Sequence, residues 1–205
     1  METQSEAKPP DRSPALAELA AAAKLSEAGR RLVENLGPAS SADDAVSALE
    51  RGGLPRDAVQ LLARRLGSRE AVWWSVVCLR RGVGQKARDD EAAALAAAES
   101  WVIDPSEASR RKAEAAAKAI EYRGPAALAA MAAFWSGANL APEGVAEVPV
   151  PAGLTARGAV SAILLAASGG DAQQIPAVLG QFLEIGRAVV RGEHRWPENK
   201  VSSRG

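Results

Sequence analysis

Apolar positions recur along most of this chain at the three- and four-residue spacing of an amphipathic helix, and nothing reads clearly as a strand. Leu128, Met131, Ala132 and Trp135 fall at i, i+3, i+4 and i+7, and Val160, Ile163, Leu164 and Ala167 repeat the stripe. Val178, Phe182, Ile185 and Val189 carry it toward the C-terminus. Capping chemistry frames these stripes. Asp104-Pro105-Ser106-Glu107 offers an N-cap acid, a proline at the first helical position and a glutamate at N3. It predicts a helix running toward Tyr122, with Glu107/Arg111 and Glu114/Lys118 as i,i+4 pairs. Gly124-Pro125 stops that helix and starts the next, and Thr155 caps the Val160 helix. Asp171 with Gln174 opens the last helix, where Pro176 counts against a regular first turn. The pattern predicts an all-α fold, either a compact multi-helix bundle or a short α-solenoid-like layer of helical hairpins. Residues 13–197 form a single domain, and 1–12 and 198–205 are flexible tails.

A repeat lies within residues 43–82. Asp43-Asp44-Ala45-Val46, Arg56-Asp57-Ala58-Val59 and Arg69-Glu70-Ala71-Val72 recur every 13 residues, each copy leading to leucine, arginine and glycine. The period fits one short helix and a turn, stacked as a helical layer, or a coincidence in an alanine- and arginine-rich chain. In this register Trp74 matches Leu61 and Ala48, whereas Trp73 matches the polar Gln60 and Ser47. Trp74 is therefore the expected core residue. Trp73 is either covered by later segments, the alternative favoured by the broad apolar surface of Val77 and Cys78, or an outward anchor for a partner.

Residues 137–153 lack helical character and carry Pro142, Pro149 and Pro151. So long a loop is either an extended crossover between two helix layers or a partner-binding loop. Val145, Val148 and Val150 alternate there with other residues, as if part of the loop lay against the body.

Composition narrows the function classes. Lys+Arg and Asp+Glu each total 25, so the basic surplus of most nucleic-acid binders is missing. One cysteine, Cys78, excludes an internal disulfide and fits a reducing compartment. No membrane-spanning run and no secretory leader are expected, so a cytoplasmic location follows. The one histidine, His194, stands near the C-terminus without partners for nucleophilic or metal chemistry. Cys78 sits in an apolar run where a thiol packs rather than reacts. Gly82-Val83-Gly84-Gln85-Lys86-Ala87 formally matches a dinucleotide fingerprint, but it lacks the required strand, and helix termination explains its glycines better. Asp43-Asp44 and Asp89-Asp90 fit helix starts. No catalytic residue, cofactor or metal is expected.

The arginine pairs Arg30-Arg31, Arg64-Arg65, Arg80-Arg81 and Arg110-Arg111 are solvated faces or a patch for an acidic partner. Trp135 lies on a stripe and should be buried, while Phe134 falls about 100° off it. Trp196-Pro197 pins the chain end to the body. The candidate partner-binding residues are Trp73, Phe134, Arg80, Arg81, Arg110, Arg111, Asn139 and Pro142.

Several phrases together are distinctive: Arg69-Glu70-Ala71-Val72-Trp73-Trp74, Trp101-Val102-Ile103-Asp104-Pro105-Ser106-Glu107, and Ala133-Phe134-Trp135-Ser136-Gly137 with Asn139-Leu140-Ala141-Pro142. Gly153-Leu154-Thr155-Ala156 and the stretch from Phe182-Leu183-Glu184-Ile185-Gly186 to His194-Arg195-Trp196-Pro197 extend them. Over about residues 43–197 the chain resembles an uncharacterised bacterial family of alanine- and arginine-rich proteins, associated with gene neighbourhoods of type VI secretion components. The resemblance implies a secretion-linked accessory role and supplies no activity or functional residues.

The expected function is a non-catalytic adaptor or chaperone-like module that binds another protein, with no nucleic acid, membrane or cofactor. The alternatives are a small-molecule pocket or acid-based enzyme site between helices, lined by Trp101 and Trp135, and a structural homo-oligomer.

Overall fold

The computed structural model describes residues 16–37, 39–83, 88–142 and 144–197. The two expected tails, and Gly84 to Ala87 of the glycine motif, lie outside them. Among the described residues there are ten α-helices and no strand, so the fold is all-α. The helices are α1 (Leu16–Ala22), α2 (Glu27–Glu34), α3 (Ala42–Arg51), α4 (Pro55–Ala63) and α5 (Ser68–Val83), followed by α6 (Asp89–Ile103), α7 (Glu107–Ala119), α8 (Gly124–Phe134), α9 (Leu154–Ala167) and α10 (Ile175–Val190).

The 13-residue spacing is structural, because α3, α4 and α5 begin at residues 42, 55 and 68. Ala45, Ala58 and Ala71 are all buried, as are Val46, Val59 and Val72. The stacking does not repeat. α3 packs on α4, whereas α5 packs chiefly on α9, α6, α8 and α10. The reason lies in the third copy, whose Trp73, Trp74 and Cys78 give α5 apolar surface on several sides.

At the centre is α8, whose neighbours are α9, α6, α7 and α5. Six alanines along it are buried, and their small side chains allow close helix approach. This reverses one expectation from periodicity. A stripe supposes one buried face, but α8 is surrounded, so Phe134 is buried while Trp135, Leu128 and Met131 are only half-buried.

Trp74 is fully buried, and its Nε1 donates to the Phe182 carbonyl of α10 at 2.7 Å. Gly186 makes this approach possible, since a methyl group there would stand 2.7 Å from Cε2 of the indole. Trp73 is covered as well, at 6% exposure. Its Nε1 donates to the His194 carbonyl at 2.9 Å, and the His194 ring meets the indole edge-on at 6.0 Å. The cover is the C-terminal segment, which Arg69 also holds by lying 4.3 Å from the centre of the Trp196 ring. Trp196 does pack against the core.

Asp57, buried in the first turn of α4, ties α2 to the body by accepting from the Ser26 amide at 2.8 Å and hydroxyl at 2.6 Å. Three helix starts differ from expectation. Ser106, not Asp104, caps α7, because Asp104 remains extended as the C-cap of α6. Gly153, with a positive φ of 70°, begins α9 and leaves Thr155 inside the helix. Asp171 caps a short 3-10 turn (Ala172–Gln174), and Pro176 sits without penalty in the first turn of α10.

Candidate functional site

The loop between α8 and α9 is not a crossover between separate layers, because α8 and α9 pack directly on each other. Its two arms pair antiparallel: the Leu140 amide donates to Val148 at 2.8 Å and the Val150 amide to Ala138 at 3.1 Å. Asn139 ties the arms through its side-chain oxygen, which accepts from the Ala141 amide at 2.9 Å and the Val148 amide at 2.8 Å. Beyond that pairing the chain turns at Pro142, whose carbonyl accepts from the Val145 amide at 3.3 Å. Part of the loop does lie against the body, with Ala141 buried and Val150 half-buried, but Val145 is 59% and Val148 49% exposed.

Arg110 and Arg111 of α7 hold the base of this loop. Arg110, only 4% exposed, donates through Nη1 to the Phe134 carbonyl at 2.6 Å and through Nη2 to the Asn139 carbonyl at 3.0 Å. Its Nε and Nη2 also reach Glu107, at 2.5 and 2.6 Å. Arg111 donates to the carbonyls of Leu140 and Ala141, to Glu107 at 2.8 Å and to Glu114 at 3.2 Å. Both guanidinium groups lie over the Phe134 ring, at 4.7 and 5.2 Å from its centre, within cation–π range. The last helical carbonyls of α8 and the backbone leaving it would otherwise lack donors. Guanidinium forks suit them because each offers several N–H groups in one plane. The hydrogen bond from Arg110 is the main cause holding the Glu107 carboxyl down to about 2, with Arg111 adding to it.

The structure therefore gathers Phe134, Arg110, Arg111, Asn139 and Pro142 into one place. The arginines face inward to their own chain, and neither Phe134 nor Trp73 offers an exposed apolar anchor. Arg80 and Arg81 stand apart in the last turn of α5, where Arg80 is paired with Glu99 of α6. Burial pushes the Cys78 thiol well above its ordinary value, consistent with inert packing. α5 runs through Gly82, so a helix precedes the glycine motif where a dinucleotide site needs a strand. Among the described residues no group of His, Cys, Asp and Glu is placed to hold a metal, and no helix is long and apolar enough to cross a membrane.

Beside the loop base lies a cavity of about 350 Å³, whose lining includes Arg64, Trp135 and Thr155. Trp101 does not line it. In the sequence Arg64 reads like any other member of an arginine pair and Thr155 like a cap.

Residues 45–190 match the model of a family of unknown function, DUF6931. The chain belongs to this family. The match spans nearly all the helices from α3 to α10, including the clamped loop and the cavity. No curated protein and no solved structure matches the chain significantly.

Proposed function

We propose that this DUF6931 protein is a non-catalytic protein-binding module, an adaptor or chaperone-like accessory protein, that engages its partner through the tip of the 137–153 loop. The observation that carries this is the pair of exposed valines, Val145 and Val148, on a loop whose base is fixed by Arg110, Arg111 and Asn139. Two apolar side chains held out on a pre-ordered loop lose little conformational freedom when they dock. Residues 138–153 contain two glutamates and no basic residue. The partner surface that fits is an apolar notch bordered by Lys or Arg. The resemblance to a bacterial family near type VI secretion genes points to a secretion component or effector as that partner, met in the cytoplasm.

A photo-crosslinking amino acid placed at position 145, with one at the exposed Leu165 as control, tests this in cells that carry the gene in its own neighbourhood. A single protein crosslinked from 145, absent from 165, and lost in a Val148→Asp background at unchanged melting temperature is the expected result. Equal crosslinking from both positions, or insensitivity to Val148→Asp, contradicts it. Crosslinking of the chain to itself would favour the homo-oligomer instead.

A further inference from the structure

We infer that the cavity between the end of α4 and the start of α9 binds a phosphorylated small molecule. At about 350 Å³ it falls at the lower end of the range for small-molecule sites. Three features leave positive charge or hydrogen-bonding capacity there unspent.

The first is the start of α9. Residues 153–156 line the cavity, the helix has no side-chain cap, and its first turn carries no acid. The Leu154 amide donates to the Pro151 carbonyl at 3.1 Å, whereas the N–H groups of Thr155 and Ala156 and the positive end of the dipole have no partner among the described residues. The second is Arg64, the C-cap residue of α4. It lies directly over Gly153, where a methyl group would stand 2.5 Å from its Nη1. It has no carboxylate partner among the described residues, and no acid lines the cavity. Burial, and next the charge of Arg157, pull the Arg64 pKa below the ordinary arginine value. The Arg64 guanidinium thus stands unneutralised at a helix N-terminus. The third is Thr155, which is 5% exposed and lines the cavity. Its hydroxyl has no hydrogen-bond partner among the described residues. No unpartnered side-chain polar atom there is sealed from solvent, so this hydroxyl opens on the cavity.

Charge decides the ligand class. A carboxylate brings one negative charge, whereas a phosphate monoester brings about −1.5 to −2 and three strong acceptor oxygens. A guanidinium fork, a helix start and a hydroxyl, with no acid beside them, match the second. Trp135 on the same wall offers an indole to the organic part of the ester. The site shares no residue with the exposed loop tip, so it stands or falls independently of the partner proposed above.

Calorimetric titration of the full chain with phenyl phosphate, inorganic phosphate and benzoate tests the inference. Phenyl phosphate should bind with a dissociation constant below about 1 mM, at least tenfold tighter than either simpler anion. Arg64→Gln and Thr155→Val should each weaken it at least tenfold, without lowering the melting temperature of the free protein. If Arg64→Gln fails to fold, the near-isosteric Thr155→Val carries the comparison. Failure of phenyl phosphate to bind would overturn the proposal. So would benzoate or inorganic phosphate binding as tightly, or an affinity indifferent to Thr155→Val.

Discussion

The arginines at the two ends of the same loop stand in opposite conditions. Arg110 and Arg111 spend their donors on six groups of known place: the carbonyls of Phe134, Asn139, Leu140 and Ala141, and the Glu107 and Glu114 carboxylates. Arg64 stands over a helix N-terminus with no carboxylate partner among the described residues. A buried cation whose hydrogen bonds are filled by its own chain is part of the scaffold. One left against like charge destabilises the empty fold and is relieved when an anion arrives. The difference separates the residues that shape this molecule from those free to act on something else.

The largest effect that would break the comparison is on stability. Arg110→Met leaves two backbone carbonyls, those of Phe134 and Asn139, short of a donor in the interior. At roughly 1–3 kcal/mol for each unsatisfied group, urea denaturation should show a loss of about 2–6 kcal/mol. The same change at Arg64 should cost nothing, because it removes an unpaired cation. Equal losses at the two sites would erase the distinction.

A smaller effect concerns pH. Glu107 titrates near 2 in the folded protein, below the ordinary 4.5, chiefly because Arg110 bonds its ionised form. A lowered folded pKa stabilises above the unfolded value, and that contribution disappears as pH falls from about 4.5 through about 2. The carboxylate side chain is mostly exposed, so solvent and salt screen the pair and keep its contribution well under the full shift. Glu107→Gln should flatten a modest part of the stability decline in this window and leave the rest of the profile unchanged. An identical decline in wild type and variant would remove Glu107 from the clamp.

Much of the fold was legible in the sequence because helix starts and buried positions are local properties. The 13-residue recurrence of Ala-Val pairs marks three real helix starts. Glu107 and Arg111 do pair, although Glu114 turns to Arg111. Trp73 occupies a register position that is polar in the other copies, yet it is covered, as the broad apolar surface of α5 favoured, by a segment far along the chain that includes His194. What failed depended on distant segments. Phe134 and Trp135 exchange their expected roles because periodicity assumes one buried face, while four helices surround α8. Five of the candidate residues do converge on one loop, Phe134, Arg110, Arg111 and Asn139 at its base and Pro142 at its turn. The inward role of the arginines was invisible, since Arg-Arg at 64 and Arg-Arg at 110 are the same letters. Only the inventory of partners separates them.

The central claim is that the shape of the α8–α9 loop, paired by its own backbone and Asn139, depends on the α7 arginines that hold its base. Amide hydrogen exchange at Leu140 and Val150, the two N–H groups that pair the arms of the loop, measures this directly. The account predicts protection in the wild type. It also predicts at least tenfold faster exchange at both amides in Arg111→Gln, equivalent to about 1.4 kcal/mol, with the buried amides of α10 unchanged. Unprotected amides in the wild type, or unaltered protection in the variant, would contradict it.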